Sequence, residues 1–166
     1  MSRRTPKLTH LTAAGKAHMV DVGHKPVTRR EAIAEGYITL QQATLQAIAD
    51  EKIVKGEVLG TARIAAILAA KRCGDLIPLC HPLGVECVEV DFDLPELSPD
   101  GNRPVALRIK AIARITAKTG VEMEALTAVS IAALTIYDMC KSIDKTMMIS
   151  GVRLLSKTGG TSSRGG

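Results

Sequence analysis

Aromatic side chains are almost missing from this chain: of 166 residues one is Phe, two are Tyr and none is Trp. Rings therefore cannot dominate the packing, and the core has to be built from Ala, Leu, Ile and Val. A core of small aliphatic residues favours closely packed helices, including helices that bury a face against a second subunit. The same scarcity removes the platform on which bases are stacked, and no helix-turn-helix with a basic reading face replaces it. The net charge of +5, with 22 Lys and Arg against 17 Asp and Glu, therefore points to phosphate-rich small ligands, not to nucleic acid.

Other absences narrow the chemistry. Cys73, Cys80, Cys87 and Cys140 form no Cys-x-x-Cys pair, which removes a zinc ribbon and a thioredoxin motif. Adjacent Cys80 and His81 could not easily share one metal. His18, Asp21 and His24 have helical spacing, but Gly23 and Pro26 make that stretch a loop, so no metal site is expected. There is no Walker GxxxxGK[ST] and no GxGxxG to hold a nucleotide. Lys118-Thr-Gly120 and Lys157-Thr-Gly159 look like the KTG of penicillin-recognising enzymes, and Ser142 to Lys145 like their SxxK. Without a Ser-Asp-Asn, and with such short spacings, both are decoys. The longest apolar run, Ala125 to Ile136, is too short to span a membrane. The opening MSRRTPKLTH has no apolar signal-peptide region, so a cytoplasmic protein without a membrane partner is expected.

What is present reads as one α+β domain. Residues 1–26 are polar and irregular, the composition of a flexible arm or flap. Ala32, Ala34, Gly36, Ile38 and Leu40 alternate as a strand over 30–40, and 41–50 reads as a short helix. A second helix is expected over 57–72, its narrow face made by Val58, Ala62, Ala65, Ala66 and Ala69. Strands follow at 88–94 and 105–115, one with an acidic outer face and one with a basic face, so antiparallel pairing would oppose unlike charges. Pro99-Asp-Gly-Asn is the turn between them. A long helix over 122–143 and a strand over 147–155 complete a ferredoxin-like βαββαβ unit with one extra helix, an antiparallel sheet packed by helices. Residues 158–166 form a Gly/Ser tail expected to be disordered. That leaves 27–157 as a single α+β domain.

Two stretches carry the chemistry. In Thr119 to Lys141 an apolar rod, expected to be buried on all sides, separates Glu122 and Glu124 from Asp138 and Lys141. Asp138 and Lys141 share one helix face; they are either a surface ion pair or a tuned acid–base pair. Glu122 and Glu124 are favourable beside a helix N-terminus in any case. In Asp75-Leu-Ile-Pro-Leu-Cys-His-Pro-Leu83, Pro78 and Pro82 stiffen a loop that presents Leu79, Cys80 and His81.

With KGEVLGTARIAAILAAKR (55–72) before that loop and KTGVEMEALTAVSIAALTIYDMCK (118–141) after it, the chain resembles the cyclic pyranopterin monophosphate synthase (MoaC) family of molybdenum cofactor biosynthesis. The resemblance runs from about Leu8 to Gly160 and departs at Gly23 to Pro26, at Cys73-Gly74 and in the tail. It implies a lyase that converts 3′,8-cyclo-7,8-dihydro-GTP into cyclic pyranopterin monophosphate with release of pyrophosphate. The substrate would come from a radical SAM GTP 3′,8-cyclase. The assembly would be a homohexamer, a trimer of dimers with sites at subunit interfaces. No cofactor is implied, although a metal bound through the substrate phosphates stays open. By the same resemblance Asp138, Lys141 and Lys55 are catalytic. Leu79, Cys80, His81, Glu122, Met123, Glu124, Lys157 and Arg30 bind substrate, with Glu124 accepting from a guanidine-like N–H pair. Each lysine taken alone, and Arg29-Arg30, could equally be solvated surface charge. The alternative function is a non-catalytic ferredoxin-like oligomer that binds anionic metabolites.

Overall fold

The computed structural model describes residues 15–97, 101 and 103–160. The first fourteen residues of the expected arm, all but Gly101 of the expected 99–102 turn, and the tail beyond Gly160 lie outside the described residues.

The chain runs β1 (Thr28–Leu40), α1 (Gln42–Ala49), α2 (Val58–Lys71), α3 (Cys73–Leu76), β2 (Cys87–Asp93), β3 (Val105–Ala117), α4 (Glu122–Cys140) and β4 (Met148–Thr158). Every strand pairing is antiparallel, in the order β2-β3-β1-β4. That is the ferredoxin-like arrangement expected from the order of elements. Alternation along β1 and β3 sends Ala32, Ala34, Ile38 and Leu40, and Leu107, Ile109, Ala111 and Ala113, to one dry face. Against that face lies α4, with α2 packed beside it.

Small residues set the approach of helix to sheet. A Cβ on Gly36 of β1 would fall 2.7 Å from Val129 Cγ1 of α4, so glycine is what lets the two backbones come so close. The buried stripe of α2 is Val58, Ala62, Ala66 and Ala70. Two of the expected small residues, Ala65 and Ala69, stand at its margin because the helix presents an i, i+4 row.

Four expectations need correction. The four-residue helix α3 was not foreseen, because CGDL carries no periodic signal. The last helix stops at Cys140, not Ile143: Ile143 and Asp144 both donate N–H to the Cys140 carbonyl, and Asp144 turns inward. Its carboxylate accepts from Gln41 N, Thr44 Oγ1 and Thr146 N, tying the end of α4 to the start of α1. At 19 residues α4 is long and apolar enough, by length and composition, to cross a membrane, contrary to the shorter run read from the sequence. Most of it is core helix, with Ala125, Ala128, Val129, Ala132, Ala133 and Ile136 fully buried. Yet it is not buried on all sides: Leu134 is exposed, as are Ile64 and Leu68 on α2.

The outer face of the sheet carries the opposed charges that the two strand patterns predicted. Arg108 reaches Asp93 at 3.0 Å, and Arg114 reaches Glu89 at 2.5 Å. Glu35 of β1 breaks the simple alternation. It is buried because Arg108 (2.8 Å) and Arg153 (2.6 Å) close over its carboxylate from the strands on either side.

Candidate active site

Eight residues singled out in the sequence line one cavity of about 470 Å³: Arg30, Leu79, Cys80, His81, Glu122, Met123, Glu124 and Lys157. Four elements bring them together. Arg30 lies on β1, the stiff 79–81 loop follows α3, the two glutamates open α4, and Lys157 ends β4. The loop is held from the N-terminal side, where His81 Nε2 donates to the Val20 carbonyl at 2.9 Å. That bond fixes the proton on Nε2 and leaves Nδ1 as the acceptor of the neutral ring. Arg30 is nearly buried, donating Nε to Ala117 O and Nη2 to Lys118 O, both at 3.3 Å. Gly159 and Gly160, at φ 86° and 79°, fold the end of β4 tightly against Arg29 and Arg30 where a Cβ would collide.

The floor of this cavity is dry and acidic. Glu124 is only 3% exposed. Burial raises its carboxyl above the usual range, and the charge of Glu122 pushes the same way. Glu122 is itself paired with Lys157 at 2.8 Å. Burial likewise raises the Cys80 thiol, with the Glu124 charge adding to it. A raised thiol is a poor nucleophile, so Cys80 lines the cavity without being placed to attack.

At the far end of α4 stands a second cluster. Asp138 accepts from Lys141 Nζ at 2.6 Å through Oδ1 and from Lys55 Nζ at 2.7 Å through Oδ2. Lys55 also donates to the Asp138 carbonyl at 2.8 Å, filling one of the acceptors a helix leaves open at its C-terminus. The KGEV sequence explains its placement. Gly56 turns the chain at φ 98°, and the Glu57 carboxylate caps α2 by accepting from Gly60 N at 2.6 Å. All three side chains remain in contact with water, so this is an exposed ion cluster. The two lysines, Lys141 foremost, hold the Asp138 carboxyl down to about 2. Asp138 in turn raises Lys141.

The structure thus gathers the eight residues expected to bind substrate in one place and the three expected to be catalytic in another. Asp138 follows Glu124 by fourteen residues within the unbroken helix α4, so the two lie about 21 Å apart along it at the helical rise of ~1.5 Å per residue. None of Asp138, Lys141 or Lys55 lines the cavity. Sequence reasoning missed Val20, Val22, Lys25 and Lys118 in the cavity wall. A usable signal existed in the repeated Lys-Thr-Gly, dismissed above as a decoy: both copies, Lys118 to Gly120 and Lys157 to Gly159, line the cavity. Lys118 Nζ also donates to Gly23 O at 2.5 Å, pinning the segment that carries Val20 and Val22. Among the described residues no three His, Cys, Asp or Glu side chains are grouped as a metal site would need.

Fold and site together define a class: a ferredoxin-like α+β protein with a cation-rimmed, carboxylate-floored cavity and a separate Asp–Lys–Lys cluster. The profile of the MoaC family matches residues 19–160. A cyclic pyranopterin monophosphate synthase of Chloroflexus aggregans (strain MD-66 / DSM 9485) is 59% identical over 162 residues, covering 98% of this chain and 94% of that protein. The chain belongs to the MoaC family.

Proposed function

We propose that the chain catalyses the lyase reaction of its family in molybdenum cofactor biosynthesis, turning 3′,8-cyclo-7,8-dihydro-GTP into cyclic pyranopterin monophosphate and pyrophosphate. The named relative and the family match support this reaction. The substrate is the product of a radical SAM GTP 3′,8-cyclase, and the reaction runs in the cytoplasm. The working unit is the single domain of residues 27–157, continued by Thr158 and Gly159, which also line the cavity.

The chemistry divides between the two clusters. In the cavity Glu124 offers a carboxylate to a planar guanidine-like N–H pair, while Arg30 and Lys157 supply cations. Lys55 and Lys141 neutralise the charge that grows on the departing pyrophosphate. A lysine drawn to phosphate releases its hold on Asp138, whose carboxylate then becomes basic enough to take a proton.

Both clusters must meet around one substrate, and the observation that carries the reading is their separation along α4. One chain cannot close that gap within a rigid helix. A second copy can, by laying its Asp138 cluster over this copy's cavity. The proposed assembly is therefore a homohexamer, a trimer of dimers with shared sites. Exposed Ile64, Leu68 and Leu134 on α2 and α4 favour burial against another copy. Complementation tests the sharing. Asp138→Asn and Glu124→Ala subunits, each impaired alone, are co-assembled from a one-to-one mixture. Random pairing restores about a quarter of the sites when each site draws on two chains. Mixed assemblies no more active than their parents would show that both clusters act within one chain.

A further inference from the structure

Cys73 opens α3 and is 1% exposed, lying behind the cavity wall and not among its lining residues. Its Sγ is 3.5 Å from Thr127 Oγ1, and both groups are buried. Thr127 stands three residues beyond Glu124, on the same side of α4. In the other direction Cys73 anchors the substrate loop. Its carbonyl accepts from Ile77 N at 2.9 Å, and the Ile77 carbonyl accepts from Cys80 N at 3.0 Å. The neighbouring Gly74 lies flat against the end of that loop, where a Cβ would sit 3.0 Å from Pro82 Cα and 3.3 Å from His81 O. One buried residue therefore joins the two elements, its side chain meeting the helix turn that carries Glu124 and its backbone holding the loop that carries Leu79, Cys80 and His81.

We propose that Cys73 is a positioning residue: the hydrogen bond between its thiol and Thr127 sets the substrate loop against the Glu124 turn of α4, and so fixes the grip of the two elements on substrate. The role rests on the reaction proposed above, because the grip has meaning only for that substrate. Cys73 does not touch substrate itself. Its chemistry suits the task. Burial pushes the thiol up to about 11, so it keeps its proton through the neutral range. It stays an uncharged hydrogen-bonding group beside a buried carboxyl, where a thiolate would be repelled. The same protonation makes it slow to react, which separates this role from disulfide or nucleophile chemistry with Cys80.

The test compares Cys73→Val, which keeps a similar shape and removes the hydrogen-bonding sulfur, with Cys73→Ser, which keeps a group able to donate or accept, and with Thr127→Val. Steady-state kinetics are read on the cyclised dihydro-GTP, and amide hydrogen exchange is read at Ile77 and Cys80. Cys73→Val is expected to raise KM about tenfold while kcat moves less than about twofold, with faster exchange at both amides. Cys73→Ser should restore KM to within about threefold of wild type and restore protection. Thr127→Val should reproduce the valine effect, with the double variant no worse than either single one. A wild-type KM and full protection in Cys73→Val would overturn the role, as would a serine variant as impaired as the valine one. Should Cys73→Val not fold, an unchanged KM in Thr127→Val overturns it equally. Absence of turnover in the wild type would instead remove the proposed reaction. The exchange arm then still decides the Cys73–Thr127 tie, which falls if Ile77 and Cys80 exchange alike in every variant.

Discussion

At its N-terminal end α4 presents Glu124, 3% exposed, to a walled cavity; at its C-terminal end it presents Asp138, with a side chain 56% exposed, to open water. A helix dipole welcomes carboxylates at the first end and resists them at the second. The structure reverses the ease of ionisation all the same. Glu124, at the favourable end, is harder to ionise because burial outweighs the dipole. Asp138, at the unfavourable end, is ionised down to about pH 2 because two lysines hold it. The lesson is that desolvation and direct contacts, not the helix, set the chemistry at each end. The cavity end is preorganised in one chain. The lysine end has its charges in place but no walls, and it gains them only when something covers it.

The sharpest way to break the comparison is to remove the exposed cluster. Asp138→Asn, Lys141→Ala and Lys55→Ala should each lower the single-turnover rate at saturating substrate by about 10²–10⁴-fold, with the oligomer intact. Lys110→Ala on the outer face of β3, where charges are screened, is the control and should change little. A mild Lys55→Ala would mean that Lys55 serves only as the C-terminal cap of α4. The cavity end should fail differently. Glu124→Gln keeps shape but loses the charge that receives a planar cation, and should raise KM about 10–100-fold. An unchanged KM with lost kcat would move Glu124 from binding to catalysis.

Much of this contrast was legible in the sequence, for physical reasons. Alternation over 30–40 and 105–115 marked the two central strands because one face is dry, and the βαββαβ order followed. Asp138 and Lys141 stood out as charges closing an apolar helix, whereas Lys55 was marked only by the family resemblance. What stayed hidden depends on distance through space. Nothing in KTG at 118 and 157 says that both copies fold onto one cavity. The alternation of β1 assigns Glu35 to the wet face, and only the arginines of β3 and β4 bury it. Nor does a helix sequence say that its two ends are too far apart to act on one small molecule.

A smaller effect sharpens the electrostatics of the exposed end. Asp138 has its folded-state carboxyl lowered, so the pairing contributes stability above the ordinary carboxylate value, and that contribution is lost as pH falls through about 2. Removing either lysine should move its titration upward, Lys141→Ala more than Lys55→Ala because Lys141 is the stronger cause. Carbon-13 NMR of the Asp138 carboxyl reads this directly. Equal titration in wild type and Lys141→Ala would mean that the 2.6 Å contact is not kept in solution.

The least effect on turnover is expected where neither end of α4 is touched. Glu35 lies on the outer face of the sheet, its carboxylate shared between Arg108 and Arg153. Burial alone would raise its carboxyl, but the hydrogen bonds and charges of Arg153 and Arg108 outweigh that and leave it below the ordinary value. Glu35→Gln keeps the shape and leaves two guanidinium groups without their shared anion. A fully buried pair broken this way costs about 3–5 kcal/mol. Here Arg153 is 66% exposed and Arg108 34% exposed, so water recovers part of the loss and about 2 kcal/mol remains. Urea denaturation at neutral pH should show that drop as a lower midpoint with an unchanged slope. The sign with pH follows from the lowered carboxyl: the ionic contribution is full above the ordinary carboxylate value and fades as acid protonates Glu35. The gap between wild type and Glu35→Gln should therefore shrink below about pH 4. Single-turnover rates of the surviving folded enzyme should stay at wild-type level, because on that part of the outer face neither Glu35 nor its two arginines lines the cavity or joins the lysine cluster. A large rate loss in a well-folded Glu35→Gln enzyme would place that face in contact with a site.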